Sequence, residues 1–215
     1  MSKRSNPRAD HLRLALAQEA ARVMAEQGID DFLVAKRKAA ERLGATDISV
    51  LPRNTEIESA LAEYYRLFRS QTHGSTIREL RQTALNTMEM FERFQPRLVG
   101  TVLSGTASEH SEISLHLFAD RAESVALLLL ERDIPHQSAE RRLRYEADRI
   151  VGYPAFRFVA GDQPIDVVVF PVDGIRQAPS SPVDGKPMRR GDAADVRNLL
   201  LAAADADMPR MPWRT

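Results

Sequence analysis

The sequence predicts an α+β protein: a helical N-terminal region followed by an α/β part with a small mixed sheet. Two observations carry this. Through the first half of the 215 residues, apolar side chains recur three and four positions apart, the period of a helix. From Leu98 onward the period shortens to two, and strand-like runs are separated by Gly, Pro and Ser clusters. Cysteine is absent, which excludes disulfides, thiolate nucleophiles and cysteine zinc sites. Lys plus Arg and Asp plus Glu number 30 each, so bulk charge predicts neither nucleic-acid nor membrane attraction. The most apolar run, Val125 to Leu130, is far too short to span a bilayer, and a cytoplasmic protein with no membrane partner is expected.

The helices follow in order. Leu12, Leu16, Ala20, Val23 and Met24 share one face, closed by Gly28 as a C-cap. Phe32, Ala35, Ala39, Ala40 and Leu43 form a second stripe, stopped by Gly44. Thr55 and Glu58 read as a capping box for a third helix along Ile57, Leu61, Tyr64, Tyr65 and Phe68. Thr76 and Glu79 repeat that signature before Ile77, Leu80, Ala84, Met88 and Phe91, and Pro96 ends the fourth. A boundary near His73–Gly74 divides the chain into a helical region (1–73), an α/β domain (74–205) and a tail (206–215).

In the second half, Ile113, Leu115 and Leu117 alternate with Glu112, Ser114 and His116, placing the two sets on opposite faces of a strand. Asp120 and Glu123 cap a helix reaching about Arg132. The runs AFRFVAG and PIDVVVFP, joined by Gly-Asp-Gln, read as a β-hairpin. A Pro- and Gly-rich loop follows, and Asp192 caps a last helix through about Ala204.

The chemistry-bearing stretch is LVGTVLSGTASEHSEISLHLF, from Leu98 to Phe118. Gly100 lets a backbone approach a phosphate closely, the Thr101 hydroxyl is able to donate to it, and Gly105 supplies a second position for positive φ. Glu112 and Ser114 share one strand face. Asp166 alternates with Ile165 and Val167 in the same way on the later strand. If the two strands are neighbours, Glu112, Ser114 and Asp166 converge beside the glycine turn, and carboxylates so placed suit magnesium.

In register and spacing, Gly100, Thr101, Gly105, Glu112 and Ser114 resemble the Gly-Ser-x-x-x-Gly, six-residue gap, Asp-x-Asp signature of the polymerase-β-like nucleotidyltransferase superfamily, particularly its minimal bacterial members. Thr106-Ala107, Ser111 and the downstream Asp166 extend the resemblance, which covers about a third of the chain, Arg97 to Pro171. It implies a small mixed sheet flanked by helices. It also implies phosphate binding at Gly100, Thr101, Gly105 and Ser114, and catalytic, metal-holding roles for Glu112 and Asp166. Magnesium, with manganese as a substitute, would then promote transfer of a nucleoside monophosphate from a triphosphate to a hydroxyl acceptor, releasing pyrophosphate.

Three departures bear on that expectation. Thr101 for serine keeps the hydroxyl, and Glu112 for aspartate keeps the charge but extends the carboxylate by one methylene. Ser114 for aspartate removes a negative charge where two metals are bridged. An alternative is therefore a catalytically impaired relative that binds a nucleotide or a partner protein. A weaker one is a DNA-binding regulator using Lys36, Arg37, Lys38 and Arg42, although DNA is not the expected partner. His116 continues the Glu112–Ser114 row and would be a substitute ligand or a structural histidine. His110 reads as a loop residue. Lys186, Arg189 and Arg190 read as an exposed basic loop or a closure over a triphosphate, and Arg176 and Gln177 allow the same two readings.

Overall fold

A computed structural model describes residues 7–29, 31–45, 50–68, 70–146 and 149–207. Its fold is α+β. Helices α1 (Pro7–Gln27), α2 (Phe32–Leu43) and α3 (Asn54–Phe68) pack around Leu16, Ala20, Met24, Ala35, Ala39, Ile57 and Leu61, which are nearly or wholly withdrawn from water. These are the apolar stripes of the sequence, and alanine at the contacts lets the helix axes approach closely.

Next come α4 (Ser70–Met90), β1 (Arg97–Val99), a single helical turn α5 (Gly100–Ser104), β2 (Ile113–Phe118) and α6 (Glu123–Glu131). The chain continues through β3 (His136–Arg144), β4 (Ile150–Ala160) and β5 (Gln163–Phe170), and closes with α7 (Ala193–Asp207). The strands form one sheet in the order β1-β2-β5-β4-β3. The pair β2–β5 is parallel and the other pairs are antiparallel.

Strand alternation sorts this sheet into two unlike faces. Ile113, Leu115, Leu117, Ile165, Val167 and Val169 join Phe156 and Phe158 in a core shared with α4, α6 and α7, where Phe91 lies edge-on to Phe158 at 6.0 Å. The opposite face carries Ser114, His116 and Phe118 paired with Asp166, Val168 and Phe170. Its apolar half packs with Tyr153 of β4 and Leu143 of β3, and with Ile175 from the loop after β5. That loop returns to the free edge of β1, where Leu98 and Gly191 exchange backbone hydrogen bonds of 2.8 and 2.9 Å.

Several local expectations are corrected. The α3 cap lies two residues earlier than Thr55–Glu58: the Arg53 amide donates to the Glu56 carboxylate at 2.6 Å, and Thr55 is already helical. Thr76 lies inside α4, where its hydroxyl donates to the Thr72 carbonyl at 2.9 Å, so it does not start that helix; His73 and Gly74 are helical too. No side chain caps α6, whose N-cap is Ala122 rather than Asp120. Gln163 belongs to β5, so the hairpin turn is Gly161–Asp162 alone, with Ala160 opposite Gln163. Strand β3 has no counterpart in the sequence reading. By contrast, Asp192 and Asp195 cap α7 reciprocally, each side chain accepting from the other's amide at 3.0 Å, and α7 extends to Asp207. Ala206 and Asp207 of the expected tail are therefore helical, and the rest of it, 208–215, lies outside the described residues.

Candidate functional site

The site is assembled by strand register. Val99 on β1 faces Ser114 on β2, Ser114 faces Asp166 on β5, and Asp166 faces Arg157 on β4. This row crosses the polar half of the sheet face opposite the core, with Val99 and Asp166 buried, Ser114 partly exposed and Arg157 exposed. Glu112, just before β2, falls on the same face because Ile113 and Leu115 point wholly into the core. The expected neighbourhood of β2 and β5 is therefore present, and Glu112 and Asp166 converge.

They converge on two guanidinium groups. Arg141 of β3 donates from Nε to Asp166 Oδ2 at 2.8 Å and from Nη2 to Glu112 Oε2 at 3.5 Å. Arg157 donates from Nε to Asp166 Oδ1 at 3.3 Å and lies 3.5 Å from Glu112 Oε1. Both Asp166 oxygens are thus engaged, and its side chain is only 7% exposed. Arg141 is about one-third exposed and Arg157 about half. Hydrogen bonding to Asp166 pushes the Arg141 pKa above its ordinary value, so that guanidinium stays charged. Two carboxylates against two guanidiniums leave no formal charge in the cluster.

The glycine turn adjoins this row. Gly100 follows Val99 directly, has φ +72°, and faces open space where a Cβ would project. Gly105 terminates α5 at φ +86°, its amide donating to the Thr101 carbonyl at 2.8 Å. Beneath it, the buried Arg81 donates to the carbonyls of Val102 and Leu103, both at 3.2 Å, and satisfies the C-terminal end of that short turn. Gly100, Thr101 and Ser104 line a cleft of about 370 Å³ whose far wall is Phe32, Leu61 and Arg189. The helical region therefore forms one side of the recess at the glycine turn. A second recess of about 590 Å³ holds Glu112, His136, Gln137 and Arg157. A third, about 670 Å³, lies between α1 and α3 and contains none of the expected site residues.

The remaining singled-out residues take structural positions. His116 is buried and its Nδ1 accepts from Arg190 Nε at 3.1 Å; burial, with the nearby Arg190 charge, lowers its pKa to about 3. Arg190 leaves the basic loop and turns inward. It donates to the carbonyls of Gly174 and Ile175 and stacks on Phe118 and Phe170, while Lys186 and Arg189 stay exposed. His110 packs against Gly28 at the end of α1. Of the basic residues of α2, Lys38 donates to Gln27 and Arg42 to Glu19, both on α1.

Sequence reasoning missed Arg141 and Arg157. Arg157 had a signal: counting back from the two-residue turn places it opposite Asp166, whereas a three-residue turn displaces the register. Arg141 had none, because HQSAERRLR shows neither apolar alternation nor turn punctuation.

The donor set bears directly on magnesium. Among the described residues no group of three or more His, Cys, Asp or Glu is placed to hold a metal ion. The oxygens nearest to forming one belong to two carboxylates already bound by guanidinium groups, with the Ser114 hydroxyl beside them. As arranged, that set does not fit a two-magnesium centre. No family model matches the chain, and neither a curated protein nor a solved structure is significantly similar to it. No helix among the described residues is long and apolar enough to cross a membrane.

Proposed function

We propose that this chain is a nucleotidyltransferase-like protein that binds a nucleoside triphosphate without the catalytic power of its active relatives, and acts as a nucleotide- or protein-binding module. The observation that carries this reading is the pairing of Glu112 and Asp166 with Arg141 and Arg157. Both carboxylates of the motif are neutralised by the protein's own cations. Ser114 adds no third negative charge. The open Gly100 turn, with Thr101 and Ser104 in its cleft, is the part of the constellation suited to phosphate. A cytoplasmic setting is part of the proposal.

A second reading keeps the enzyme. It is favoured by the convergence of Glu112 and Asp166 on one face, where the resemblance requires its acidic residues. Magnesium or manganese would enter only if Arg141 and Arg157 released those carboxylates, and the acceptor would be a hydroxyl group.

Thermal melts with ATP, GTP, CTP and UTP, alongside an assay of pyrophosphate release, separate the two. The binding reading expects at least one nucleotide to stabilise the fold by about 2.7 kcal/mol at a hundredfold excess over its Kd, roughly 5–10 °C for a chain of this size. It expects no pyrophosphate. Metal-dependent release abolished by Asp166→Ala establishes the enzyme instead, and the absence of any nucleotide effect removes both readings.

A further inference from the structure

We infer that Arg141 and Arg157 take the place of the divalent cations and hold the triphosphate directly, so that nucleotide binding requires no metal. This rests on the nucleotide-binding reading above and specifies its chemistry.

Position is the first support. The row from Val99 through Ser114 and Asp166 to Arg157 crosses three strand spacings, about 14 Å. Gly100, the next residue after Val99, opens at one end of it and the guanidiniums stand at the other. A polyanion lying along this end of the sheet meets backbone first and then two guanidiniums, each already paired on one side with Glu112 and Asp166.

Unused donors are the second support. A guanidinium has five N–H groups in a planar fork. Arg157 commits only Nε, and Arg141 only Nε and Nη2. Both η nitrogens of Arg157 and Nη1 of Arg141 have no hydrogen-bond partner among the described residues. Arg157 lines the recess of about 590 Å³ and its side chain is about half exposed, so space able to admit a ligand adjoins it. The carboxylates hold the two forks from behind. Such preorganisation limits the side-chain entropy lost when an anion arrives.

Chemistry is the third. Guanidinium matches phosphate oxygens through paired, charge-assisted hydrogen bonds, which a hydrated metal ion matches only by surrendering water. The resulting unit, carboxylate–guanidinium–phosphate, preserves the charge alternation of carboxylate–metal–phosphate.

The test uses ATP and inorganic tripolyphosphate as probes, followed by calorimetry and thermal melts on the full chain, once in EDTA and once in magnesium. ATP affinity in EDTA should lie within about threefold of its value in magnesium, and tripolyphosphate should compete with ATP. If the nucleotide is the ligand, ATP binds more tightly than tripolyphosphate; equal affinities assign the site to the polyphosphate chain itself. Arg157→Gln leaves Arg141 on Asp166 and so preserves the fold, which its melt verifies. It should weaken ATP binding in EDTA at least tenfold, with Arg157→Lys recovering only part of the loss because the paired geometry is gone. ATP binding that appears only with magnesium, lack of competition by tripolyphosphate, or unchanged affinity in folded Arg157→Gln overturns the inference while leaving nucleotide binding intact. No binding of any nucleotide in either condition overturns the binding reading itself.

Discussion

Replacing Asp166 by asparagine asks whether the carboxylate pair is stabilised by its own arginines or is waiting for a metal. The two cases predict opposite signs. In the structure Asp166 is nearly buried and accepts from Arg141 at 2.8 Å and Arg157 at 3.3 Å. A hydrogen bond to a charged group contributes about 1.5–3 kcal/mol, and an amide cannot balance two guanidiniums. Full loss of a buried pair costs more, about 3–5 kcal/mol, but Arg141 and Arg157 are partly solvated and recover hydration. Asp166→Asn should therefore destabilise the fold by about 2–3 kcal/mol, lowering the melting temperature by roughly 5–10 °C. Glu112→Gln, whose contacts with Arg141 and Arg157 are 3.5 Å long and whose side chain is one-third exposed, should cost less than about 1 kcal/mol through those pairs. Urea unfolding at neutral pH in EDTA measures both. Two carboxylates repelling each other in an empty metal site are relieved when one is neutralised. An unchanged or raised urea midpoint in Asp166→Asn thus refutes the neutralised-cluster reasoning.

Two further outcomes test the surroundings of the site. The folded state holds His116 neutral with a pKa of about 3, whereas the unfolded chain takes up that proton near 6.5. The unfolded state then binds more protons between those values, so stability is complete above pH 6.5 and falls as pH drops toward 3. About 2 kcal/mol should disappear by pH 5, and His116→Gln should remove that slope in urea midpoints taken from pH 5 to 7.5; parallel slopes for both proteins refute it. Gly28 has φ +62°, and a Cβ there would stand 2.9 Å from His110 Cβ. Gly28→Ala should cost about 2 kcal/mol in thermal melts, with His110→Gly in the same chain, which removes every atom a Cβ would meet, recovering about half; no recovery would mean that backbone strain alone accounts for the loss.

The sequence reading succeeded where one physical pattern dominates. The stripes of α1 to α3 and the alternation of β2 and β5 report burial directly, so both cores and the facing of Ser114 and Asp166 were legible. It failed where tertiary context supplies what the local pattern lacks. β3 is polar because much of it is exposed, and backbone pairing with β4 fixes it as a strand. The α3 cap was misplaced because Ser, Thr and Glu recur at several offsets, and only the geometry selects Glu56. At the site, the two acidic positions carried a motif and were visible. The arginines that decide their electrostatics come from other strands, at distances along the chain that no short motif spans.

The parallel pairing of β2 with β5 has a consequence for how the protein comes to exist. Glu112, Arg141, Arg157 and Asp166 stand on or beside four different strands, and the two central ones are joined across a helix and a long two-stranded ribbon. The β4–β5 hairpin closes locally and early, but closing β5 on β2 must wait until the chain has been made through Phe170. Until then Arg157 and Asp166 have met while Glu112 lies elsewhere. The charge cluster is consequently a late product of folding, and a ligand that recognises it recognises only chains whose sheet is whole.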